Sequence, residues 1–277
     1  MTPDLAYGVL CGFAGLFGLL FGSFLNVCVA RMPEDRSVAF PASHCPTCGT
    51  PIKPYDNVPV LAWFWLGGRC RACKETISGL YPTVEALGGV LAILLFRRVV
   101  PDLGDLDAAH LVAFAWYGWL LFALLGLTFI DLRHQIIPDE FSLYSVPVGI
   151  AGAALLGWLG YLGAPTWQQS VIGALCGGLF LGAISIAARM YYGFEAMGWG
   201  DVKLLALLGA YFGAVTALPM ILILASTSAS IVGVGFAAIK GKSLKMGIPL
   251  GPFLAFAAVI WLFFSDDLPN LGLFSIF

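Results

Sequence analysis

The sequence has 277 residues, of which 60% are hydrophobic and only 11% are charged, and its mean hydropathy is +0.91. A soluble domain of this length cannot bury so much apolar surface, so the composition excludes soluble proteins and predicts an integral protein of the lipid bilayer. The formal net charge of -2 gives no indication of a nucleic-acid partner.

Apolar runs of nearly the length needed to cross a bilayer recur along the whole chain. In chain order they cover residues 5–30, 83–96, 110–130, 141–162, 170–188, 202–217, 218–239 and 249–264. The boundary between the sixth and seventh runs depends on Pro219 alone. The sequence therefore predicts an all-α polytopic membrane protein with about eight transmembrane helices.

One polar region interrupts this pattern, and it contains four of the seven cysteines together with many Pro and Gly residues. We therefore expect three parts: a first transmembrane helix over residues 1–30, a polar region over 31–82, and a seven-helix membrane domain over 83–277. The membrane domain contains the candidate catalytic residues described below.

Basic residues are distributed unevenly between the two sides of the predicted membrane protein. If the first helix runs from outside to inside, twelve of the fourteen Lys and Arg residues lie on the inner side, and only Arg97 and Arg98 lie outside. Cytoplasmic loops are the ones that retain positive charge. The distribution predicts an outer N-terminus and a cytoplasmic location for residues 31–82.

Two aspartates adjoin apolar runs at positions where a carboxylate is costly and is therefore a functional candidate. Asp131 ends the third run, and Asp201 begins the sixth, where Gly198 and Gly200 leave room for another helix or an extended substrate to approach. Lys203 follows two residues later. Since two complete crossings separate the aspartates, both are predicted at the cytoplasmic face, where they can meet.

A pair of carboxylates in a low-dielectric site shares a proton, so that one can act as a base on water while the other polarises a peptide carbonyl. The alternative is purely structural: Asp201 caps a helix, and Asp131 is an interfacial acid beside Arg133. Asp139 follows Pro138, and we interpret it as the cap of the fourth helix in preference to a direct chemical role.

The cysteines of the polar region form two C-x-x-C motifs. Cys45 and Cys48 make the first, Cys70 and Cys73 make the second, and 21 residues separate the motifs. This spacing is typical of a structural zinc site with four thiolates, and disulfides are unfavourable in a reducing cytoplasm. A redox-active pair is the alternative for a single motif. We predict Zn²⁺, which would supply folding energy to a region too small to form its own core.

Two further features have open interpretations. Glu85, near the start of the second helix, is either a functional acid, a residue that interacts favourably with the helix dipole, or the partner of a basic loop residue. Residues 246–253 contain Gly and Pro at the entry to the last helix, and irregular backbone at membrane depth lines a cavity or is buried in protein. A tight turn is the simpler explanation.

Taken together, these motifs resemble those of the bacterial type IV prepilin leader peptidases, over nearly the whole chain. The resemblance includes the G-x-G-D-x-K pattern around Asp201, the upstream Asp131 with its Pro138-Asp139 turn, and the paired cysteines. It also includes residues 22–27 followed by Arg31 and Pro33, residues 55–59, Tyr81-Pro82 with Glu85, and residues 247–254.

The resemblance implies an intramembrane aspartic endopeptidase of the bacterial inner membrane with Asp131 and Asp201 as catalytic residues. Its substrates would be prepilins or pseudopilins of type IV pili or type II secretion, cut after a Gly that ends a basic leader. Family members of this length commonly also methylate the new N-terminal amine with S-adenosylmethionine. The residues themselves give no indication of this second activity or of a site for the methyl donor.

Two other functions fit parts of the sequence. An ion- or proton-coupled transporter would also place acids in membrane helices, although transporters hold them near the midplane and commonly contain internal repeats. A zinc-containing scaffold for an assembly platform would explain the cysteine motifs but not the residues from Gly198 to Asp201.

Overall fold

The computed structural model describes residues 2–193, 198–240 and 249–266. Within these residues the protein is helical, and nine α-helices follow one another along the chain. They are α1 (Pro3–Arg31), α2 (Leu61–Trp65), α3 (Leu80–Val99), α4 (Ala108–His134), α5 (Ser145–Trp158), α6 (Trp167–Tyr192), α7 (Trp199–Phe212), α8 (Ala217–Lys240) and α9 (Gly251–Phe264). Short 3₁₀ turns occur at Met32–Glu34, Pro54–Asp56 and Leu103–Asp105.

Each of the eight predicted apolar runs contains one helix, and five of these helices are long and apolar enough to cross a membrane: α1, α3, α4, α6 and α8. The helices α5 and α9 are apolar but have only 14 residues each. The prediction of an all-helical fold is therefore confirmed for the described part of the chain, which contains five candidate membrane spans.

The helices of the structure differ from the predicted ones in several places. The sixth and seventh helices separate at residues 213–216, where Gly213 has a φ of +79°, and not at Pro219. Pro219 lies in the first turn of α8, where a missing backbone N–H costs nothing. The fourth helix begins at Ser145 and not at residue 141, and the short helix α2 was not predicted.

The chain forms two compact units. The first comprises Met1–His110 and Tyr117–Gly126, and the second comprises Leu111–Trp116 and Leu127–Phe277. In the first unit α1 packs along α3, because glycines on both helices let the backbones approach. A Cβ atom added to Gly88 would lie only 2.6 Å from the carbonyl oxygen of Gly18. Close packing of this kind is typical of membrane helices.

The second unit has the same type of contact between α6 and α7. Gly173 and Gly209 face each other so closely that a Cβ on either would overlap the backbone carbonyl of the other. Tyr211 of α7 is fully buried and stacks on Trp116, with ring centroids 4.4 Å apart. This packing fixes α7, which contains Asp201.

Candidate functional site

Asp131 lies near the end of α4 and is 5% exposed. Its carboxylate accepts a hydrogen bond from the backbone N–H of Gly251, the first residue of α9. The first N–H groups of a helix have no partner within the helix, so a carboxylate at this place satisfies one of them. The start of α9 therefore holds the Asp131 carboxylate in position.

Asp201 lies in the first turn of α7 and is partly buried. Gly198 precedes the helix, and no side chain caps the N-terminus of α7. The structure therefore does not support the alternative in which Asp201 serves as the helix cap. The Asp201 carboxylate is close enough to that of Asp131 for the two charges to interact. The structure brings together the two acids that the sequence places 70 residues apart.

Ile137 packs against the backbone on both sides of this pair. A Cβ atom added to Gly200 would lie 2.9 Å from Ile137 Cβ, and one added to Gly251 would lie 3.0 Å from Ile137 Cδ1. The same added atom on Gly251 would lie 2.5 Å from Asp131 Oδ2. Glycine at both positions is what allows the segment after α4, the start of α7 and the start of α9 to converge around the carboxylates.

Lys203 and Asp139 form an ion pair, with 2.5 Å between Nζ and Oδ1. Both side chains are partly exposed, at 32% and 40%. The interpretation of Asp139 as the cap of the fourth helix is wrong, since α5 begins only at Ser145 and Asp139 lies in the preceding turns. The ion pair instead connects the segment that follows Asp131 to the helix that contains Asp201.

The four cysteines of the two C-x-x-C motifs form a cluster in the first unit. The sulfur atoms of Cys45, Cys48, Cys70 and Cys73 all lie within 4.8 Å of one another, and those of Cys45 and Cys73 are 3.8 Å apart. Zn–S bonds of about 2.3 Å in a tetrahedral site place sulfur atoms about 3.8 Å apart. The cluster therefore suits a metal ion bound by four thiolates.

The two motifs have the same backbone structure. In the first, Cys45 N–H donates to the Thr50 carbonyl at 2.9 Å, and in the second, Cys70 N–H donates to the Glu75 carbonyl at 2.8 Å. The residue after the second cysteine has a positive φ in both motifs: +69° at Gly49 and +62° at Lys74. Each motif is thus a tight turn that directs two thiols to the same side.

Hydrogen bonds and crowding change the acidity of these thiols. The side chain and backbone of Thr50 lower the pKa of Cys48 to about 6. The backbone N–H of Glu75 lowers the pKa of Cys73, but desolvation and the adjacent thiols outweigh it and raise that pKa to about 12. A bound cation would offset this mutual repulsion, because metal coordination stabilises thiolates.

Comparison with known proteins connects both sites to one family. Residues 16–99 match the model described as the bacterial peptidase A24 N-terminal domain, and residues 118–234 match that of the type IV leader peptidase family. A prepilin leader peptidase/N-methyltransferase of Aeromonas salmonicida is 37% identical over 91% of this chain and 90% of its own length. Proteins with the same name from Dichelobacter nodosus and Pseudomonas aeruginosa are 36% and 33% identical, over 91% and 94% of this chain and 90% and 91% of their own.

The chain belongs to the type IV leader peptidase family. No solved structure matches it. The resemblance inferred from the motifs is therefore confirmed at the level of the family.

Three residues of this family member contribute to its sites without having been assigned from the sequence. Ile137 packs against Gly200 and Gly251 beside the acid pair, Gly251 lies against Asp131, and Val60 donates its backbone N–H to the Glu85 carboxylate at 2.6 Å. Of these three residues, only Gly251 belongs to a pattern that is visible in the sequence, because it lies in the Gly- and Pro-containing entry to the last helix. Residues 246–248 of that entry lie outside the described residues.

Proposed function

We propose that the protein is an aspartic endopeptidase of the bacterial inner membrane that removes the basic leader from type IV prepilins or pseudopilins. The observation that carries the proposal is the pairing of Asp131 and Asp201, whose carboxylates interact at the ends of two helices. The names of the relatives, each a prepilin leader peptidase/N-methyltransferase, support the substrate class.

The chemistry follows from two carboxylates that share one proton. The ionised carboxylate takes a proton from water while the oxygen of that water forms a bond with the scissile carbonyl carbon. The protonated carboxyl donates a hydrogen bond to the carbonyl oxygen, which becomes negatively charged. The C–N bond then breaks, and the departing amine takes a proton from the pair.

Four residues support this pair in the proposal. Gly198 and Gly200 leave space for an extended substrate backbone beside Asp201. Lys203 and Asp139 hold the start of α7 against the segment that follows Asp131 through their ion pair. They are positioning residues, and they take no part in proton transfer.

A site at the cytoplasmic edge of the bilayer suits a prepilin, whose basic leader stays in the cytoplasm while its apolar helix lies in the membrane. We place all eight apolar helices in the membrane, with the N-terminus outside and residues 31–82 in the cytoplasm. The 14-residue helix α7 is about 21 Å long, shorter than a hydrocarbon core of about 30 Å. If the C-terminal end of α7 lies at the outer surface of the hydrocarbon core, its first turn therefore lies inside the core. Asp201 is then located below the cytoplasmic surface of the core.

The cysteine cluster has a structural role in this proposal. Cys45, Cys48, Cys70 and Cys73 would hold Zn²⁺ with no open coordination position, so the ion supplies folding energy and takes no part in peptide hydrolysis.

Methylation of the new N-terminal amine is the second activity we propose, and it depends on the names of the relatives. A cavity of about 390 Å³ in the second unit is lined by Ser185, Ile186, Arg189, Met190 and Trp199. Its charged lining residue is a cation, which does not suit the sulfonium and ammonium groups of S-adenosylmethionine. We therefore assign no residues to the methyl donor.

Mass spectrometry of the product tests both activities together. Purified protein is incubated with a prepilin and S-adenosylmethionine, and the N-terminus of the product is determined. We expect the wild type to give a shortened chain with a methylated N-terminal residue, and Asp131→Asn and Asp201→Asn each to leave the prepilin intact. Cleavage by either variant, or proton flux through reconstituted protein without any cleavage, contradicts the proposed peptidase.

A further inference from the structure

The short helix α2 presents large apolar side chains on one face. Leu61, Phe64 and Trp65 are 57%, 66% and 52% exposed, and their spacing of three and four residues places them side by side. A contiguous apolar face of this kind on a polar region marks a contact surface for a protein or a membrane.

The opposite side of α2 is fixed to the rest of the polar region. Trp63 donates its indole N–H to the Ile77 carbonyl at 3.0 Å and lies against Gly68, where an added Cβ would be 2.9 Å from the Trp63 ring. Ala62 is buried. Since these contacts fix the rotation of α2 about its axis, the exposed face has a defined direction.

The level of α2 along the membrane normal follows from its contact with α3. Helix α3 has 20 residues and is therefore about 30 Å long, which equals the thickness of the hydrocarbon core. Its first turns must then lie at the boundary between lipid headgroups and acyl chains. Glu85, in the second turn, accepts the backbone N–H of Val60 at 2.6 Å, and Val60 directly precedes α2.

This contact is maintained at a cost. Val60 has a φ of +61°, which is unfavourable for a β-branched residue. Glu85 is only 9% exposed, and the side chains of Ser23 and Asn26 lie near its carboxylate. Asn26 in turn donates to the Tyr81 carbonyl at 3.1 Å. A buried polar network therefore holds the start of α2 at the level of the second turn of α3.

We propose that α2 is an interfacial membrane anchor whose face of Leu61, Phe64 and Trp65 lies in the boundary layer of the bilayer. The hydrogen bond from Val60 to Glu85 sets its depth. An apolar face at this level meets acyl chains and headgroups, and Trp is favoured in that layer. The anchor holds the metal-binding region against the membrane surface.

Fluorescence quenching by brominated lipids tests the anchor, because bromine quenches tryptophan only at short range. Wild type, Trp65→Phe and Trp63→Phe are reconstituted in vesicles of phosphatidylcholine and phosphatidylglycerol with bromine near the headgroup end of the acyl chains. The chain has 8 Trp residues, so each contribution is obtained as the difference from wild type. We expect loss of Trp65 to remove a strongly quenched component and loss of Trp63 to remove a weakly quenched one.

Equal quenching of the two residues overturns the proposal. So does Trp65 emission that is insensitive to bromine but changes when a prepilin is added, since the face would then be a substrate surface. The depth-setting bond is tested separately: Glu85→Ala should reduce the quenching of Trp65, whereas Glu85→Gln and Val60→Gly should retain it. A Glu85→Ala variant with unchanged quenching contradicts the role of Glu85.

Discussion

The metal-binding region and the acid pair are held in place by different physical means. In the metal-binding region, tight turns direct four thiols to one point, and of the four cysteines only Cys45 is buried. Around the acid pair, the positions come from helices in close contact, with Gly173 against Gly209 and Gly251 against Asp131. The metal-binding region depends on a bound metal ion for its stability. The packing around the acid pair depends on glycines, which have no side chain to separate the backbones.

The difference predicts different sensitivities to mutation. A site organised by metal ligands fails when a ligand is lost and tolerates changes elsewhere. A site organised by close packing fails when a single methyl group is added, even far from the reacting atoms.

Loss of two metal ligands should have the largest effect. Replacing Cys45 and Cys70 with Ser removes one ligand from each motif, and structural zinc binding contributes about 10–16 kcal/mol in small zinc domains. We expect the purified Cys45→Ser/Cys70→Ser variant to lose its zinc in elemental analysis and to be cut by protease between residues 31 and 79. Cys176→Ser, which changes an exposed cysteine of α6, is the matched control. Equal zinc content in all three proteins contradicts the metal site.

A methyl group between α6 and α7 should have the next largest effect. In Gly209→Ala the new Cβ overlaps the Gly173 carbonyl, and separating two backbones costs about 3 kcal/mol, more than the roughly 1 kcal/mol that Ala gains in helix propensity. The net loss of about 2 kcal/mol should lower the melting temperature in detergent by about 4–8 °C.

Gly178→Ala provides the control for this prediction, since its Cβ would meet Ala206 Cβ at 3.4 Å, an ordinary contact. Its melting temperature should stay near that of the wild type. If both variants melt alike, close backbone contact is not what holds α7.

Adding a methyl group beside the acid pair should impair catalysis more than stability. In Gly251→Ala the new Cβ lies 2.5 Å from Asp131 Oδ2, so the carboxylate must move. A displacement of about 1 Å in a catalytic group costs about 100-fold in rate. We expect kcat for prepilin cleavage to fall by roughly this factor with little change in KM. Gly235→Ala, where nothing lies within 4 Å of the new Cβ, should cleave at the normal rate.

Sequence patterns predicted the features that depend on local composition or on counting helices. The apolar runs located all eight long or medium helices, since the bilayer imposes a length that is visible in the chain. Two membrane crossings, an even number, separate Asp131 from Asp201 in the sequence. This count predicted that both aspartates lie at the same face and could meet. The C-x-x-C spacing predicted the thiol cluster, because each tight turn is encoded locally.

Features that depend on contacts distant in the chain were missed or misassigned. The Pro138-Asp139 pattern favoured a helix cap, but Asp139 instead pairs with Lys203, 64 residues away. The five residues of α2 are too few to show a helical period. Ile137 has no distinguishing pattern at all, since its role follows only from its contacts with Gly200 and Gly251.

The smallest predicted effect compares the two C-x-x-C turns with each other. Gly49 and Lys74 occupy equivalent positions with φ near +65°: +69° and +62°. A left-handed conformation destabilises the folded turn by about 1–2 kcal/mol when the residue has a side chain. Glycine avoids this strain, but its greater freedom in the unfolded chain lowers the stability of the fold by about 0.4–1 kcal/mol. Lys74→Gly should therefore stabilise the second turn by less than about 1 kcal/mol.

This gain should appear as slightly tighter zinc retention, by less than about fivefold in competition with a chelator, because the turn must be ordered for its thiols to bind. Gly49→Lys makes the reverse change in the first turn and should weaken retention by a similar factor. If Lys74→Gly weakens retention instead, the Lys74 side chain contributes a contact that outweighs backbone strain, and the two turns are equivalent in geometry but not in energy.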